Sequence, residues 1–510
     1  MIPIYNPNIL NYKTSALKAI ESGWISNHGE NVEMATNKLK EILNINYFIL
    51  MSNGTCATHC LFLALKFKYP LIKKIYVPNN CYVAAWNALL MEYEQDIIDI
   101  MKMDINTWNI NTNDEYILSL DTNAAVLIVH NLGNIINVPR LKRLRPDLIF
   151  LEDNCEGLFG KYEEIYSGTS KSSLCSSISF YGNKNITTGE GGAFLTQDID
   201  IYNYIKKAYS QGLSEKRYLH DTHAYNYRMT NIQAAFLLDQ LNDLPNILLK
   251  KENIFINYNN FFKLLINENK ISIFTKEEHT ENANWIYALR VNNNNLSIED
   301  TYDFLKNEGM DSRPFFYPIN SHKHLKDLTF NDDVSYILNQ EIIMIPSSPT
   351  ISLEEQHQVV NIINKLLFLL ETKYKIKEIK TNKDLIILEN YIKLIKSPTF
   401  RYFNKRNIEI INNHLITLLI MDHDNPIGYA HIDLEDNKYW LGIYIDDEFQ
   451  NKGIGNKIIK FIINHYKIEQ DIFLSVDNNN KNAKKLYIKN GFKEIECNKN
   501  YSIMKKEINN

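Results

Sequence analysis

The stretch Ser179-Phe180-Tyr181-Gly182-Asn183-Lys184-Asn185-Ile186-Thr187-Thr188-Gly189-Glu190-Gly191-Gly192 decides how this chain is read. Its apolar start has the composition of a strand, and it delivers a lysine into a turn. The glycines that follow let the backbone pass close to something bulky. A lysine on a turn is ordinarily a solvated charge, so other parts of the chain must decide whether this one does chemistry.

Working upstream, Leu151-Glu152-Asp153-Asn154-Cys155-Glu156-Gly157 closes another apolar run. It places carboxylates at the C-terminal end of a strand, where open α/β sheets bind ligands. Further upstream, Asn53-Gly54-Thr55 precedes an expected helix over 56–65, and the amides of such a start suit a phosphate. An amine, a carboxylate that keeps a pyridine nitrogen protonated and a phosphate cup are the set that pyridoxal phosphate requires.

These pieces sit in a region, residues 30–245, that alternates helical stretches with short apolar strands at 47–51, 74–78, 124–130, 148–152 and 177–180. That rhythm predicts a layered α/β domain. Residues 250–372 read as a smaller α+β unit, closed by a helix whose apolar stripe is Val359, Val360, Ile363, Leu366, Leu367 and Leu370. A charged stretch after Glu371 begins a fresh strand-then-helix rhythm. The expected domains are therefore 1–248, 249–372 and 373–510.

Composition narrows the classes of function. The 510 residues are 45% hydrophobic and 23% charged, ordinary for soluble globular chains. Lysine and arginine number 55 against 60 acidic residues, a net charge of −5. No basic field is present for nucleic acid or an anionic membrane, so a small molecule is the expected partner. No basic region precedes an apolar run at MIPIYNPNIL, and no apolar stretch is long enough to span a bilayer. The six cysteines, without a CxxC pair, read as reduced thiols of a cytoplasmic protein with no metal centre.

The ordered series Trp24-Ile25-Ser26, Asn53-Gly54-Thr55, Glu152-Asp153, Phe180 to Lys184, Thr187 to Gly192, Tyr225-Asn226-Tyr227-Arg228-Met229-Thr230-Asn231 and Arg313-Pro314-Phe315-Phe316-Tyr317-Pro318 resembles the DegT/DnrJ/EryC family of sugar-nucleotide aminotransferases. The likeness covers the first ~370 residues and is strongest to perosamine-synthase-like members. It implies the fold type I architecture of pyridoxal-phosphate enzymes, a large α/β domain followed by a small α+β domain. It also implies that Lys184 carries the cofactor and moves the proton during amino transfer, and that Asp153 pairs with the pyridinium nitrogen. By the same resemblance Gly54, Thr55 and Ser179 hold the phosphate, Asn226 reaches it from a neighbouring subunit of a homodimer, and Tyr82 stacks on the ring. Glu156 would stand near the ring hydroxyl, and Arg228 and Arg313 would meet acidic groups of the sugar nucleotide or of L-glutamate. Asn320 departs from the histidine expected there, which bears on sugar specificity. A dehydrating branch of the fold replaces the lysine by histidine, and Lys184 argues against it.

The last domain carries a second pair of motifs. Gln450-Asn451-Lys452-Gly453-Ile454-Gly455 follows an apolar strand and opens a helix, and Asn480 to Phe492 reads NxxAxxLYxxxGF. Glycines before a helix expose amides to a pyrophosphate. The pair resembles the GNAT acetyltransferases, an α/β fold. That likeness implies that Gln450, Gly453, Gly455 and Asn480 bind acetyl-CoA, that Tyr487 protonates the departing thiolate, and that a splayed strand near Ile443 receives the acetyl group. His431, Asp433 and Glu435 share one face by alternation and are candidates for taking the acceptor's proton. Arg401, in an aromatic-arginine cluster, suits a sugar or its diphosphate.

Together the likenesses imply a bifunctional enzyme that aminates a nucleotide-linked 4-keto-6-deoxy sugar and then acetylates the amine. Two alternatives stand beside it: a different acceptor for the acetyl group, and a non-catalytic regulator that binds pyridoxal phosphate.

Overall fold

The computed structural model describes all residues except 7–8, 217, 295, 329, 331, 372–373, 396–399, 401, 404–405, 423, 451–452, 466–469 and 509–510. The chain forms two compact units, Met1–Leu370 and Glu371–Asn510.

The first unit is built on a seven-stranded sheet: β1 (Tyr47–Met51), β2 (Ile75–Pro78), β3 (Ile98–Met101), β4 (Ala125–Val129), β5 (Ile149–Asp153), β6 (Ser173–Ser179) and β7 (Gly192–Thr196), in the order β1-β7-β6-β5-β4-β2-β3. β6, β5, β4, β2 and β3 pair in parallel, and β7 runs antiparallel to both β1 and β6. Every residue of β4, β5 and β7 is buried, the signature of a sheet covered on both faces. On one face, Leu127 and Leu151 pack with the helix Gly54–Lys68, whose residues 57–65 are all buried. On the other, Val126, Ile128 and Phe150 pack with Trp108 and Leu141.

Strands β3 and β7 lie outside the five runs expected from sequence. β3 is a four-residue edge strand interrupted by Asp99, and β7 begins on the glycine that ends the lysine loop. Composition that marks a turn therefore hides a central strand, whose identity comes from pairing with both neighbours.

A smaller antiparallel sheet of β8 (Ile271–Ser272), β9 (Ala288–Val291), β10 (Arg313–Pro314) and β11 (Ile342–Met344) has the order β8-β9-β11-β10. The helix Leu353–Glu371 buries Val359, Ile363, Leu366 and Leu367 in the adjoining core.

The second unit is a seven-stranded sheet: β12 (Tyr374–Glu378), β13 (His414–Asp422), β14 (Asn425–Glu435), β15 (Lys438–Ile445), β16 (Ile472–Asp477), β17 (Lys493–Cys497) and β18 (Tyr501–Lys506). Their order is β12-β13-β14-β15-β16-β18-β17, antiparallel except for the parallel pair β15 and β16. Only Tyr439 and Trp440 of β15 pair with β16, so the two strands part beyond Trp440. One face packs on the helices Ile454–His465 and Lys481–Lys489, and the other on Asn382–Leu394. No helix among the described residues is long and apolar enough to cross a membrane.

Candidate active sites

The parallel strands of the first unit end along one edge, and several of the residues singled out from sequence lie at or just past those ends. β5 ends on Asp153 and β6 on Ser179. β1 ends on Met51, which pairs with Gly192. β2 ends on Pro78, four residues before Tyr82. The helix Gly54–Lys68 starts here because Asn53 caps it, its side chain accepting from the N–H of Cys56 at 2.9 Å. Gly54 is required by packing: a Cβ there would lie 2.8 Å from Cβ and 2.9 Å from Oγ of Ser179. The helix start and the Ser179 hydroxyl thus form one cradle, with Thr55 exposed beside it.

Lys184 lies in the loop between β6 and β7. Its Nζ is 4.0 Å from Oε1 of Glu156 and 3.8 Å from the ring centre of Trp285. Glu156 is buried and accepts from the N–H of Leu132 at 2.8 Å. Burial pushes its carboxyl up to about 7, opposed by the Lys184 ammonium and the Leu132 N–H and reinforced by Asp153. Asp153 is buried and accepts from the N–H of Cys155 at 3.1 Å.

Tyr82 is exposed, its ring 6.2 Å from that of Phe316. The bridge between Asn80 and Pro318 brings the end of the Arg313–Pro318 motif to this loop. Arg313 itself pairs with Asp311 and donates to the carbonyl of Ser312 at 2.7 Å. Arg228 bridges Met51 along the backbone and donates to Ser210 Oγ at 3.2 Å, and its buried Nε has no partner among the described residues. Asn226 is exposed and bridges Ser210. Asn320 accepts from the Tyr336 hydroxyl at 2.9 Å, and His322 and His324 follow it.

Two neighbours of Lys184 escape sequence reasoning. Trp285, whose indole N–H donates to Asn183 O at 2.8 Å, covers the amine, and the Tyr5 hydroxyl donates to Lys184 O at 2.6 Å. Both come from about 100 or more residues away, with no motif around them. Just beneath the site, Glu152 accepts from His130 Nε2, the Tyr162 hydroxyl and Gly168 N at 3.0–3.3 Å. Because Ile136 N–H donates to His130 Nδ1, the imidazole proton lies on Nε2 and points at Glu152.

The donor set fits pyridoxal phosphate. An amine, a carboxylate at the end of a neighbouring strand, and a glycine-serine cradle at a helix start converge on one edge. A side chain at Gly54 would fill that cradle.

In the second unit the two motifs meet. Gly453 has φ +81°, a conformation that favours glycine. A Cβ on Gly455 would lie 2.7 Å from a methyl of Leu486, and Asn490 donates to Asn456 at 2.9 Å. Gln450 donates to Ile445 O at 2.9 Å and to Asp447 Oδ1 at 2.8 Å, tying the loop to the end of β15. Asn480 caps its helix, accepting from Ala483 N at 3.1 Å. Tyr487 is buried against Phe492, and burial pushes its phenol up to about 12. Ile443 lies on β15 past the last residue that pairs with β16. His431 and Asp433 are buried, and Glu435 is exposed and pairs with Arg406. Arg401 lies outside the described residues.

The model of the DegT/DnrJ/EryC1/StrS aminotransferase family matches residues 10–364, and that of a GNAT acetyltransferase domain matches 413–494. The GDP-perosamine synthases of Escherichia coli O157:H7 and Vibrio cholerae are each 28% identical, over 71% of this chain and 98% of theirs. Among solved structures, a sugar aminotransferase from Micromonospora echinospora matches with TM-score 0.62 at 18% identity, covering 72% of this chain and all of its own. An E. coli GDP-4-keto-6-deoxy-D-mannose-3-dehydratase with bound hydrated pyridoxal phosphate matches with TM-score 0.63 at 20% identity, covering 71% and 99%.

Proposed function

From the premise that this chain belongs to the DegT/DnrJ/EryC1/StrS aminotransferase family and carries a GNAT domain, we propose two linked reactions. The first unit aminates a nucleotide-linked 4-keto-6-deoxy sugar with glutamate as donor, and the second acetylates the new amine from acetyl-CoA. The observation that carries this reading is the meeting of Lys184, Glu156, Asp153 and the Gly54–Ser179 cradle on one sheet edge. The perosamine synthase relatives support the sugar-nucleotide class.

Pyridoxal phosphate, when bound, supplies an electron sink for the carbon that loses a proton. Lys184 holds and returns that proton at Nζ. Trp285 covers this amine, and Glu156 is buried with a carboxylate oxygen 4.0 Å from it. Asp153 would keep the ring nitrogen protonated, and Gly54, Thr55 and Ser179 would grip the phosphate through amides and a hydroxyl. Tyr82 would stack on the ring. Asn226, exposed in the single chain, would complete the site of a second copy in a homodimer. Arg228 has a buried guanidinium nitrogen without a partner among the described residues, and it suits an acidic group of donor or sugar. Arg313 could join it only by leaving Asp311.

In the second unit, the amides around Gly453 and Gly455, with Gln450 and Asn480, would bind the CoA pyrophosphate and arm. Tyr487, held protonated by burial, would give its proton to the departing sulfur. The decisive experiment is mass spectrometry of products from purified protein with pyridoxal phosphate, glutamate and a panel of nucleotide-linked keto sugars, with and without acetyl-CoA. An amino sugar is expected, gaining one acetyl group when acetyl-CoA is added. Lys184→Ala should abolish the first step and still acetylate supplied amino sugar; amination that survives it would defeat the proposal.

A further inference from the structure

On β14, the face opposite Ala430 and Ile432 carries a buried polar cluster. His431 is 2% exposed and Asp433 6%, yet among the described residues His431 Nδ1 and Asp433 Oδ1 have no hydrogen-bond partner. An unsatisfied buried polar group costs on the order of 1–3 kcal/mol, a cost that a purely structural role leaves uncompensated. His414, from β13, stacks on His431 with ring centres 4.7 Å apart and planes 18° apart. Tyr402 covers both, its ring centre 4.0 Å from that of His431.

The hydrogen bonds among these groups have a direction. The Tyr402 hydroxyl donates its one proton to Asp433 Oδ2 at 2.6 Å, so at 2.7 Å from His414 Nε2 it must accept from that nitrogen. His414 Nδ1 is then unprotonated and accepts from the Thr417 hydroxyl at 2.9 Å. The chain runs Thr417 to His414 to Tyr402 to Asp433, whose Oδ2 lies 3.9 Å from His431 Nε2. His414, His431 and Asp433 offer donor atoms within 4.8 Å of one another, as a cation would need. The Tyr402 hydroxyl, however, already bridges His414 and Asp433, which wires the cluster for protons.

The cluster also reaches the splayed strand. His431 is the register partner of Gly442 on β15. A Cβ on Gly442 would lie 2.1 Å from Cε1 and 2.6 Å from Nδ1 of His431, so the imidazole occupies the space any other residue would fill. Gly442 stands two residues past Trp440, where β15 and β16 part.

Resting on the acetyl-transfer reading above, we propose that His431 takes the proton from the acceptor amine, with Asp433, Tyr402 and His414 as positioning residues that compensate the charge. The amine nitrogen bonds to the acetyl carbon and the carbon–sulfur bond breaks. The electron pair leaves on the CoA sulfur, which takes the Tyr487 proton. The proton shed by the amine goes to His431 Nδ1 and returns through solvent to Tyr487. Among the described residues, the titratable groups around His431 are His414 from β13, Tyr402 and Arg406 from the segment before it, and Tyr429, Asp433 and Glu435 from its own strand. Burial first, then His414 and Arg406, hold His431 well below the usual imidazole range. It is therefore neutral, and a proton acceptor, at pH 7.

The test is kcat for acetylation of the amino sugar by the full-length protein from pH 5.5 to 8.5, in wild type, His431→Gln and Tyr402→Phe. Loss of a general base predicts a fall in kcat of about 100-fold or more in His431→Gln, with the KM for acetyl-CoA unchanged. The residual rate should climb about tenfold per pH unit, because the amine then loses its proton to solvent. Tyr402→Phe keeps the ring and removes only the hydroxyl, so it should lower kcat roughly tenfold and shift the acid limb of the profile. It decides the question if His431→Gln does not fold. Wild-type kcat and an unchanged pH profile in the folded variants would overturn the assignment alone. A wild-type enzyme that acetylates no amine would overturn the acetyl-transfer reading, and this assignment with it.

Discussion

Glu156 is an electrostatic liability beside Lys184. Its folded carboxyl titrates at about 7 because burial outweighs the ammonium 4.0 Å away. Between the ordinary carboxylate range and pH 7 the folded state therefore binds a proton that the unfolded chain has lost, so this residue's contribution to stability falls as pH rises through that window. Glu156→Gln keeps an acceptor for Leu132 N–H and removes the titration. Its stability relative to wild type should improve by up to about 3 kcal/mol between pH 5 and pH 8, read by urea unfolding of the cofactor-free protein. A difference independent of pH would show that Glu156 is not held neutral. At this scale Lys184, Asp153 and Glu156 are legible because each sits beside a strand end marked by glycine or an apolar run. Trp285 is not, since only the chain's return from the small sheet lays its ring over the lysine.

Glycine at element boundaries does two different jobs. A Cβ on Gly192 would lie 2.4 Å from the carbonyl oxygen of Asn53, the residue that caps the helix Gly54–Lys68. Backbone cannot step aside as a side chain can, so Gly192→Ala should displace the helix start and cost about 1–3 kcal/mol. Phosphate affinity should fall with it, measured as the pyridoxal phosphate concentration needed for half-saturation. Gly453 has nothing among the described residues within 4 Å of its would-be Cβ and φ +81°, so Gly453→Ala should cost roughly 1 kcal/mol through backbone strain. Equal effects of the two on their units would contradict these assignments. The helix after Asn53 is legible from its cap and apolar run. The strand Gly192–Thr196 is not, because pairing on both sides turns a loop-like composition into the sheet's interior.

Two compact units, Met1–Leu370 and Glu371–Asn510, each with its own buried core, predict two transitions in calorimetry. Pyridoxal phosphate at 100 times its Kd should stabilise one by about 2.7 kcal/mol, and acetyl-CoA at the same ratio should stabilise the other by a similar amount. A single transition shifted by both ligands would show that the units unfold as one. The amino-acid sequence by itself determined the layered α/β class, the lysine loop and the two glycine motifs, because strand period, caps and glycines act over a few residues. Tertiary structure alone decided what those motifs face. The Trp285 cover on Lys184, the pairing of Arg313 with Asp311, and the His414–Tyr402–Asp433 wiring around His431 depend on which side chains meet. Burial then sets their charge, because removing water strengthens every interaction that remains and penalises every group left without one.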